Sequence, residues 1–167
     1  MTTLWRVSQH RDLKGAGGLR APGRWHERGL PVVYLAESPA GALLEACVHT
    51  SANDVPPKYT LLALEVDARV PLESVEVSKL PPNWPDDLHK TREIGSAWLR
   101  SVRTAMLRIP SAIVPSTFNV MLNPLHPDAA RVRIQSAVRY PFDPRIKKRE
   151  FCWHMNLLPG CGDACAV

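Results

Sequence analysis

Proline is the residue that most constrains what this chain can fold into. The 167 residues include 16 prolines, where average usage would give about 8. Because proline lacks a backbone N–H and has a fixed φ, it ends helices and interrupts inner strands. The chain is therefore expected to consist of short strands, short helices and many turns, which argues against a helical bundle and favours an irregular α+β domain.

Length and charge narrow the class of protein. With 45% hydrophobic and 22% charged residues, the chain is globular and long enough for one domain with a sizeable core. The net charge of +5 favours anionic partners. Residues 131–150 hold seven Arg or Lys and two Asp or Glu, so this segment alone accounts for the net excess. It is either a binding surface for an anion or a solvated basic end of the domain.

The sequence indicates a cytoplasmic protein. No apolar run reaches the roughly 18 residues that a membrane helix needs, and Arg6 interrupts the N-terminal segment where a signal peptide would be apolar. The four cysteines are too few for a disulfide framework at this length. The tail residues Cys152, His154, Cys161 and Cys165 match no common zinc spacing, so we expect reduced thiols and no metal.

Hydrophobic periodicity and turn residues predict the order of the elements. Strands are expected at residues 4–7, 31–37, 58–67, 73–80, 109–115 and 130–143, and helices at 39–50 and 91–107. Residues 8–29 form a glycine-rich loop, and long ordered loops of this kind more often have a function than serve only as connections. No strand is followed by GxGxxG or GxxxxGK[ST], so neither a Rossmann nor a Walker phosphate site is supported.

Both helices are predicted to be amphipathic. Ser38 offers an N-cap with Pro39 after it, and helical spacing places one apolar face on each helix. These faces are Leu43, Leu44, Cys47 and Val48 on the first helix, and Ile94, Trp98, Val102, Ala105 and Met106 on the second. Glu45 lies off the first face, with Gly41 one turn before it and His49 one turn after it. The small glycine leaves room for a ligand to approach the carboxylate.

Three residues in the first third of the chain have chemistry that a cleft could use. Arg24 lies in a glycine-rich turn, where it either packs on the surface or grips a phosphate or carboxylate bidentately. Tyr34 either fills the core or stacks on a ligand ring. Glu45 is either solvated or stabilises a developing oxocarbenium ion or a ribose hydroxyl.

Ser111 and Asn119 are the polar candidates later in the chain. Serine and asparagine at such turns most often bond to the local backbone, and the alternative is that they orient an amide or a ribose. Ser111 lacks the G-x-S-x-G context of a serine hydrolase. From the residues alone, the chain is therefore an α+β protein with a candidate anion-binding cleft.

Several motifs in a fixed order carry a family resemblance. The string LWRVSQHRDLKGAGGLRAPGRWHERGLPVVYLAESPAGALLEACVH is followed by IPSAIVP and by NVMLNPLHPDAARVRI. Together they resemble the RES domain, named for its Arg, Glu and Ser. The resemblance implies an α+β, ADP-ribosyltransferase-like fold with mixed, mostly antiparallel sheets and flanking short helices. It divides the chain into a RES domain at residues 1–146 and a basic, Cys-containing tail at 147–167.

RES domains are the toxins of bacterial toxin–antitoxin pairs, and the resemblance implies an enzyme that consumes NAD. The enzyme would break the bond between nicotinamide and ribose, with water, phosphate or a specific protein as the acceptor. NAD is then the substrate, and no separate cofactor or metal is implied. The implied partner is an Xre-like helix-turn-helix antitoxin, through which the chain would contact DNA only indirectly. A homodimer within that hetero-oligomer is compatible with the family.

The resemblance also assigns roles to individual residues. Glu45 would stabilise the cationic sugar as nicotinamide leaves, because a fixed negative charge helps most where positive charge develops. Arg24, together with Arg6, would hold the phosphates of the dinucleotide.

Four further residues complete the site that the resemblance implies. Tyr34 would stack on the nicotinamide or its ribose and help to exclude water. Trp25 is expected beside the nucleotide as well. Ser111 and Asn119 would place the ribose or the carboxamide.

Two other functions stay open from the sequence. Many bacterial toxins are ribonucleases, and a basic protein suits that reaction, but such an enzyme needs a His or Lys acid/base pair and the six histidines show no obvious pairing. The other is a module without catalysis, in which the basic C-terminal strand binds DNA beside an antitoxin.

Overall fold

A computed structural model describes residues 1–49 and 57–147. The strands are β1 (Thr2–Val7), β2 (Val33–Ala36), β3 (Lys58–Val66), β4 (Leu72–Ser74), β5 (Met106–Pro110), β6 (Phe118–Leu122) and β7 (Val132–Pro141). The helices are α1 (Ala16–Arg20), α2 (Pro39–Val48) and α3 (Leu88–Ser101), with 3-10 turns at Val77–Lys79, Pro127–Arg131 and Pro144–Lys147.

In the described residues the strands form one mixed sheet of seven strands, in the order β4-β5-β6-β2-β1-β3-β7. Each neighbouring pair is antiparallel except β4 and β5, which are parallel. The predicted α+β class with a mostly antiparallel sheet and short helices is confirmed.

Several elements differ from the prediction at their ends. The loop predicted at 8–29 contains α1, and of the strand predicted at 73–80 only the first two residues are in a strand, β4. The strand predicted at 109–115 ends at Pro110, because the Ser111 N–H turns back to the Thr117 carbonyl at 3.0 Å. Proline and serine in the local sequence indicate that turns occur here, but they do not indicate at which residue each strand ends.

The helix predicted at 91–107 is wrong at both ends. The Asp87 side chain accepts a hydrogen bond from the Lys90 N–H at 2.9 Å, so α3 begins directly after this N-cap. The helix ends at Val102, whose φ of 49° lies in the left-handed region. Met106 therefore starts β5 and does not extend the apolar face of the helix.

The start of α2 is as predicted, but its apolar face is not. Ser38 Oγ caps the helix by accepting a hydrogen bond from the Gly41 N–H at 3.0 Å. Leu44 and Val48, predicted to be buried, are 37% and 57% exposed, whereas Ala42 is buried. The helix approaches the sheet through its small residues, so its longer apolar side chains remain near the surface.

Apolar clusters pack on both faces of the sheet. One cluster includes Leu4, Val33, Leu35, Leu62, Leu64, Val120 and Leu122. The other includes Trp25, Trp98, Leu99, Leu107, Ile109 and Met121. Alternate residues of β2 and β6 point to opposite faces, and Tyr34 packs with the second cluster. Tyr34 therefore lies on the face that carries α3.

α3 packs closely against the turn at residues 23–26. A Cβ added to Gly95 would lie only 1.9 Å from the Trp25 carbonyl oxygen, so the helix and the turn are in backbone contact. Thr91 Oγ1 donates a hydrogen bond to the Arg24 carbonyl at 2.8 Å. Ser96 Oγ accepts one from the backbone N–H of the residue after the turn, at 2.9 Å. Small and hydroxyl residues on α3 thus hold the turn against the helix.

None of the helices in residues 1–49 and 57–147 combines the length and hydropathy that crossing a membrane requires. The same residues contain no group of three or more His, Cys, Asp or Glu side chains that could hold a metal ion. The tail residues Cys152, His154, Cys161 and Cys165 lie outside the described part of the chain, as does nearly all of the tail predicted at 147–167.

We expect Gly95→Ala to destabilise the fold, because the added Cβ would collide with the Trp25 carbonyl. Overpacking of this kind costs on the order of 1–3 kcal/mol of the free energy of unfolding. Gly17→Ala in α1 is the matched control: nothing lies within 4 Å of its added Cβ, and alanine favours a helix by about 0.5–1 kcal/mol. Urea denaturation measures both variants, and equal stability of the two would contradict the contact.

Candidate active site

Glu45 is held at the contact between α2 and the start of β6. Asn119 Nδ2 donates a hydrogen bond to Glu45 Oε1 at 2.6 Å, and Ser111 Oγ donates one to the same oxygen at 3.4 Å. The second carboxylate oxygen lies 4.0 Å from His49 Nε2. Because the Glu45 side chain is 30% exposed, the carboxylate is fixed in place and still open to a ligand.

Small residues allow this contact between helix and sheet. Ala36 of β2 pairs with Asn119 of β6, so both side chains lie on the face that α2 covers. A Cβ added to Gly41 would lie 3.5 Å from the Ala36 Cβ, which is ordinary contact distance. The helix therefore lies close enough to the sheet for the carboxylate of Glu45 to reach the amide of Asn119.

Ser111 bonds both to the local backbone and to the site. Its Oγ accepts a hydrogen bond from the Ile113 N–H at 3.2 Å, as expected for a serine at a turn. The same oxygen donates to Glu45 at 3.4 Å. The structure thus brings together Glu45, Ser111 and Asn119, which are far apart in the sequence.

The Tyr34 hydroxyl is bound to the turn at residues 23–26. The Trp25 N–H donates a hydrogen bond to it at 3.2 Å, and His26 Nδ1 lies 2.9 Å from it. The ring is half-buried. The hydroxyl is therefore satisfied by the turn, and a part of the ring stays available to a ligand.

The pKa of the Tyr34 phenol depends on burial and on the charges around it. Burial raises the pKa of Tyr34, and the Glu45 carboxylate adds to this shift. The Trp25 N–H opposes the shift, as do the guanidinium groups of Arg92 and Arg24. The phenol is therefore protonated at neutral pH, and it lies in the field of one carboxylate and two arginines.

His26 belongs to the same constellation, although the sequence carries no signal for it beyond its place in the loop. Its side chain is 3% exposed, and its Nε2 is buried without a hydrogen-bond partner in the described residues. A Cβ added to Gly23 would lie 2.6 Å from the His26 ring, so the turn needs glycine there. Burial lowers the pKa of His26, with a smaller contribution from Arg92 and an opposing one from the Ala21 backbone.

Arg24 is anchored by the backbone and not by a carboxylate. Its Nη1 donates a hydrogen bond to the Pro85 carbonyl at 2.5 Å, and its own carbonyl accepts one from Thr91 at 2.8 Å. In the described part of the chain it makes no ion pair. Its positive charge is therefore not neutralised by the protein there.

Trp25 is part of the core and not of a ligand surface. It is 2% exposed, and its ring centroid lies 5.8 Å from that of Trp84. The prediction that Trp25 contacts the nucleotide is not supported, because the indole has almost no accessible face. Its backbone N–H serves the site instead, by holding the Tyr34 hydroxyl.

Arg6 is not brought to the other predicted site residues. Trp5 of β1 pairs with Ala36 of β2, so alternation along the strands places Arg6 and Tyr34 on opposite faces of the sheet. Arg6 Nη1 donates a hydrogen bond to the Asp12 carbonyl at 3.3 Å. Burial lowers the pKa of Arg6, and Asp12 opposes that shift.

Comparison with known proteins decides the family. The sequence profile described as RES domain matches residues 3–143. The chain belongs to the RES domain family. It is 43% identical over 134 residues to a protein named Toxin Res from Pseudomonas putida, covering 79% of this chain and 91% of that protein. It is 37% identical over 159 residues to the Prs ADP-ribosylating toxin of Sphingobium sp., covering 89% of this chain and 98% of that protein.

A solved structure has the same fold as this RES domain. In the crystal structure of the M. tuberculosis MbcT–MbcA toxin–antitoxin complex, one chain matches with a TM-score of 0.65 and 20% identity. The match covers 87% of the RES chain and 86% of that chain. At this identity the likeness shows the fold alone, and it confirms the α+β architecture. The roles of Arg24, Tyr34, Glu45, Ser111 and Asn119 remain predictions.

The buried imidazole of His26 makes the stability of this RES domain depend on pH. Because burial lowers its pKa below the ordinary value of 6.5, the unfolded chain binds the proton more tightly than the folded chain. The stability due to neutral His26 is present above about pH 6.5 and is lost as the pH falls further. We expect the free energy of unfolding to fall less between about pH 7 and pH 5 in His26→Gln than in wild type.

Urea denaturation at each pH measures this difference. His89→Gln is the matched control, because His89 is exposed and its removal should leave the wild-type pH dependence unchanged. A His26→Gln protein that loses as much stability as wild type on acidification would show that His26 is not the responsible group.

Proposed function

We propose that this chain is the toxin of a toxin–antitoxin pair and that its site breaks the nicotinamide–ribose bond of NAD. Relatives that match most of the chain carry the names Toxin Res and Prs ADP-ribosylating toxin. ADP-ribosylation with NAD begins by breaking the bond between nicotinamide and ribose. The names therefore support both parts of the proposal, the toxin and the bond that it breaks.

The observation that carries the proposal is the position of the Glu45 carboxylate. It is fixed by Asn119 at 2.6 Å, it is 30% exposed, and its charge acts on the phenol of Tyr34. A single fixed carboxylate with uncompensated arginines nearby suits a substrate that has an anionic part and a reacting carbon that becomes positive.

The chemistry follows from the substrate. When the C1′–N bond of NAD breaks, the electron pair leaves with nicotinamide, which becomes neutral, and C1′ of the ribose becomes cationic. The Glu45 carboxylate stabilises this cation, and the hydrogen bond from Asn119 keeps it oriented before the reaction. The acceptor then attacks C1′ and loses its proton. No acid is needed for the leaving group, so one carboxylate is sufficient.

The remaining site residues bind and orient the substrate. Tyr34, held by its hydroxyl, offers a rigid ring to the nicotinamide or its ribose and limits the access of water. Ser111, which donates to Glu45 at 3.4 Å, is placed to accept from or donate to the ribose hydroxyls. Arg24 binds the pyrophosphate with its guanidinium group.

The partner in this proposal is an antitoxin. The solved neighbour of the same fold is a toxin–antitoxin complex, MbcT with MbcA. We propose that this chain likewise binds an Xre-like helix-turn-helix antitoxin and contacts DNA only through it. The chain is an intracellular enzyme in this account, since both its substrate and such an antitoxin are found in the cytoplasm.

A second candidate is transfer of ADP-ribose to a specific protein. The Sphingobium relative, whose name states ADP-ribosylation, is 37% identical over 159 residues, which favours this acceptor over water or phosphate. The first step at Glu45 is the same in all three reactions. The products distinguish them.

We expect the purified, partner-free protein to release nicotinamide from NAD. The second product identifies the acceptor. It is ADP-ribose if the acceptor is water, phosphorylated ADP-ribose if it is phosphate, and a modified protein if it is a protein in an added cell extract. Glu45→Gln should lower kcat by about 10²–10³, the usual effect of removing one preorganised electrostatic group. Chromatography with and without phosphate, and mass spectrometry of the extract, measure these products.

Glu76→Gln is the matched control for loss of one carboxylate. Glu76 is 59% exposed and pairs only with Lys79 in the described residues, so the variant should keep wild-type activity. Failure of the folded, partner-free protein to release nicotinamide under all of these conditions would overturn the proposal. Equal activity of Glu45→Gln and Glu76→Gln would overturn the role of Glu45.

A further inference from the structure

We propose that Arg92 of α3 is a second substrate-binding cation that, together with Arg24, grips the pyrophosphate of a dinucleotide. The inference rests on the proposed function, because it names the part of NAD that the site recognises. It gives Arg92 the role that the sequence resemblance gives to Arg6, which lies on the other face of the sheet from Tyr34.

The two arginines are anchored at the same turn. Arg92 Nε donates a hydrogen bond to the Gly23 carbonyl at 2.8 Å, and Thr91 Oγ1 donates one to the carbonyl of Arg24 at 2.8 Å. A Cβ added to Gly23 would lie 3.0 Å from the Tyr34 hydroxyl, so this turn lies directly against the phenol. Consistent with this geometry, both guanidinium groups lower the pKa of Tyr34.

Arg92 and Arg24 differ in their partners from six other arginines of the described residues. Carboxylates pair with Arg69, Arg100, Arg103, Arg108, Arg131 and Arg145. Arg24 and Arg92 are half-buried and, within residues 1–49 and 57–147, have no carboxylate as a partner. Their hydrogen bonds go to main-chain carbonyls. Within those residues, the two terminal amino groups of Arg92 make no hydrogen bond.

Such a pair of charges indicates an anionic ligand. Carbonyl oxygens fix a guanidinium group but do not neutralise it, and charges that are partly removed from water are normally paired. Guanidinium groups also match the geometry of phosphate oxygens, because each can donate two parallel hydrogen bonds. In NAD the anionic part is the pyrophosphate, which these two groups would hold together.

The charges of the site also favour one orientation of the bound substrate. Arg24, Arg92 and Glu45 all act on the phenol of Tyr34, the arginines with one sign and the carboxylate with the other. A pyrophosphate is attracted to the arginines and repelled by Glu45, whereas the developing ribose cation is attracted to Glu45. The field therefore favours the orientation in which the nicotinamide ribose lies at the carboxylate.

Two substitutions distinguish two possible roles of Arg92, which are to bind an anion and to hold the turn in place. Arg92→Gln places an amide nitrogen at the position of Nε, so the bond to Gly23 can be retained while the charge is lost. Arg92→Lys keeps a positive charge at the end of the side chain but lacks the Nε donor. Arg139→Gln on β7, where Arg139 is exposed, is the control for the change in net charge.

We expect Arg92→Gln to raise the KM for NAD about 10- to 100-fold, the usual weight of a hydrogen bond to a charged group, with kcat changed by less than about threefold. Arg92→Lys should keep an affinity closer to that of wild type, and Arg139→Gln should equal wild type. The same order is expected in calorimetric titrations with ADP-ribose, which carries the pyrophosphate but no nicotinamide.

A turn-bracing role would reverse this order. Arg92→Gln would then match wild type in KM and in ADP-ribose binding, and Arg92→Lys would be the weaker variant, which overturns the inference. The inference is also overturned if Arg139→Gln loses as much affinity for NAD and ADP-ribose as Arg92→Gln does. If wild type itself releases no nicotinamide, the proposed function fails. If wild type is active and Arg92→Gln has the same KM, only the inference about Arg92 fails.

Discussion

The close contact between Gly95 of α3 and the Trp25 carbonyl is the constraint on which the site depends. α3 holds the turn at residues 23–26 through this contact and through hydrogen bonds from Thr91 and Arg92. The turn then holds the Tyr34 hydroxyl. A shift of α3 would therefore move the turn and, with it, the groups that hold the Tyr34 hydroxyl.

The second half of the site depends on a contact between helix and sheet. α2 packs through small residues, and this brings the carboxylate of Glu45 to the amide of Asn119 at 2.6 Å. Its longer apolar residues, Leu44 and Val48, remain exposed as a consequence. Arg24 of the turn, Arg92 of α3 and Glu45 of α2 thus act on the phenol of Tyr34 from three separate elements, the arginines with one sign and the carboxylate with the other.

Local signals in the sequence predict part of this structure. Ser38 and the proline after it mark the start of α2, and the family motifs indicate which residues to test for function. The end of α3 is not predictable in this way, because Val102 adopts a left-handed conformation that is rare for a branched residue. The burial of Trp25 and the role of His26 depend on packing against α3, which lies far along the chain. The orientation of Arg6 follows from strand pairing, which local patterns do not give.

In the proposed function one cleft orients NAD, with the nicotinamide ribose at Glu45 and the pyrophosphate at Arg24. A crystal structure of the Glu45→Gln protein soaked with NAD tests it most directly, since the slow variant should retain the intact substrate. The account predicts that the scissile C1′ lies against residue 45 and Asn119, with the phosphates on the guanidinium of Arg24. Density for NAD with its phosphates at residue 45, or on the opposite face of the sheet, would contradict it.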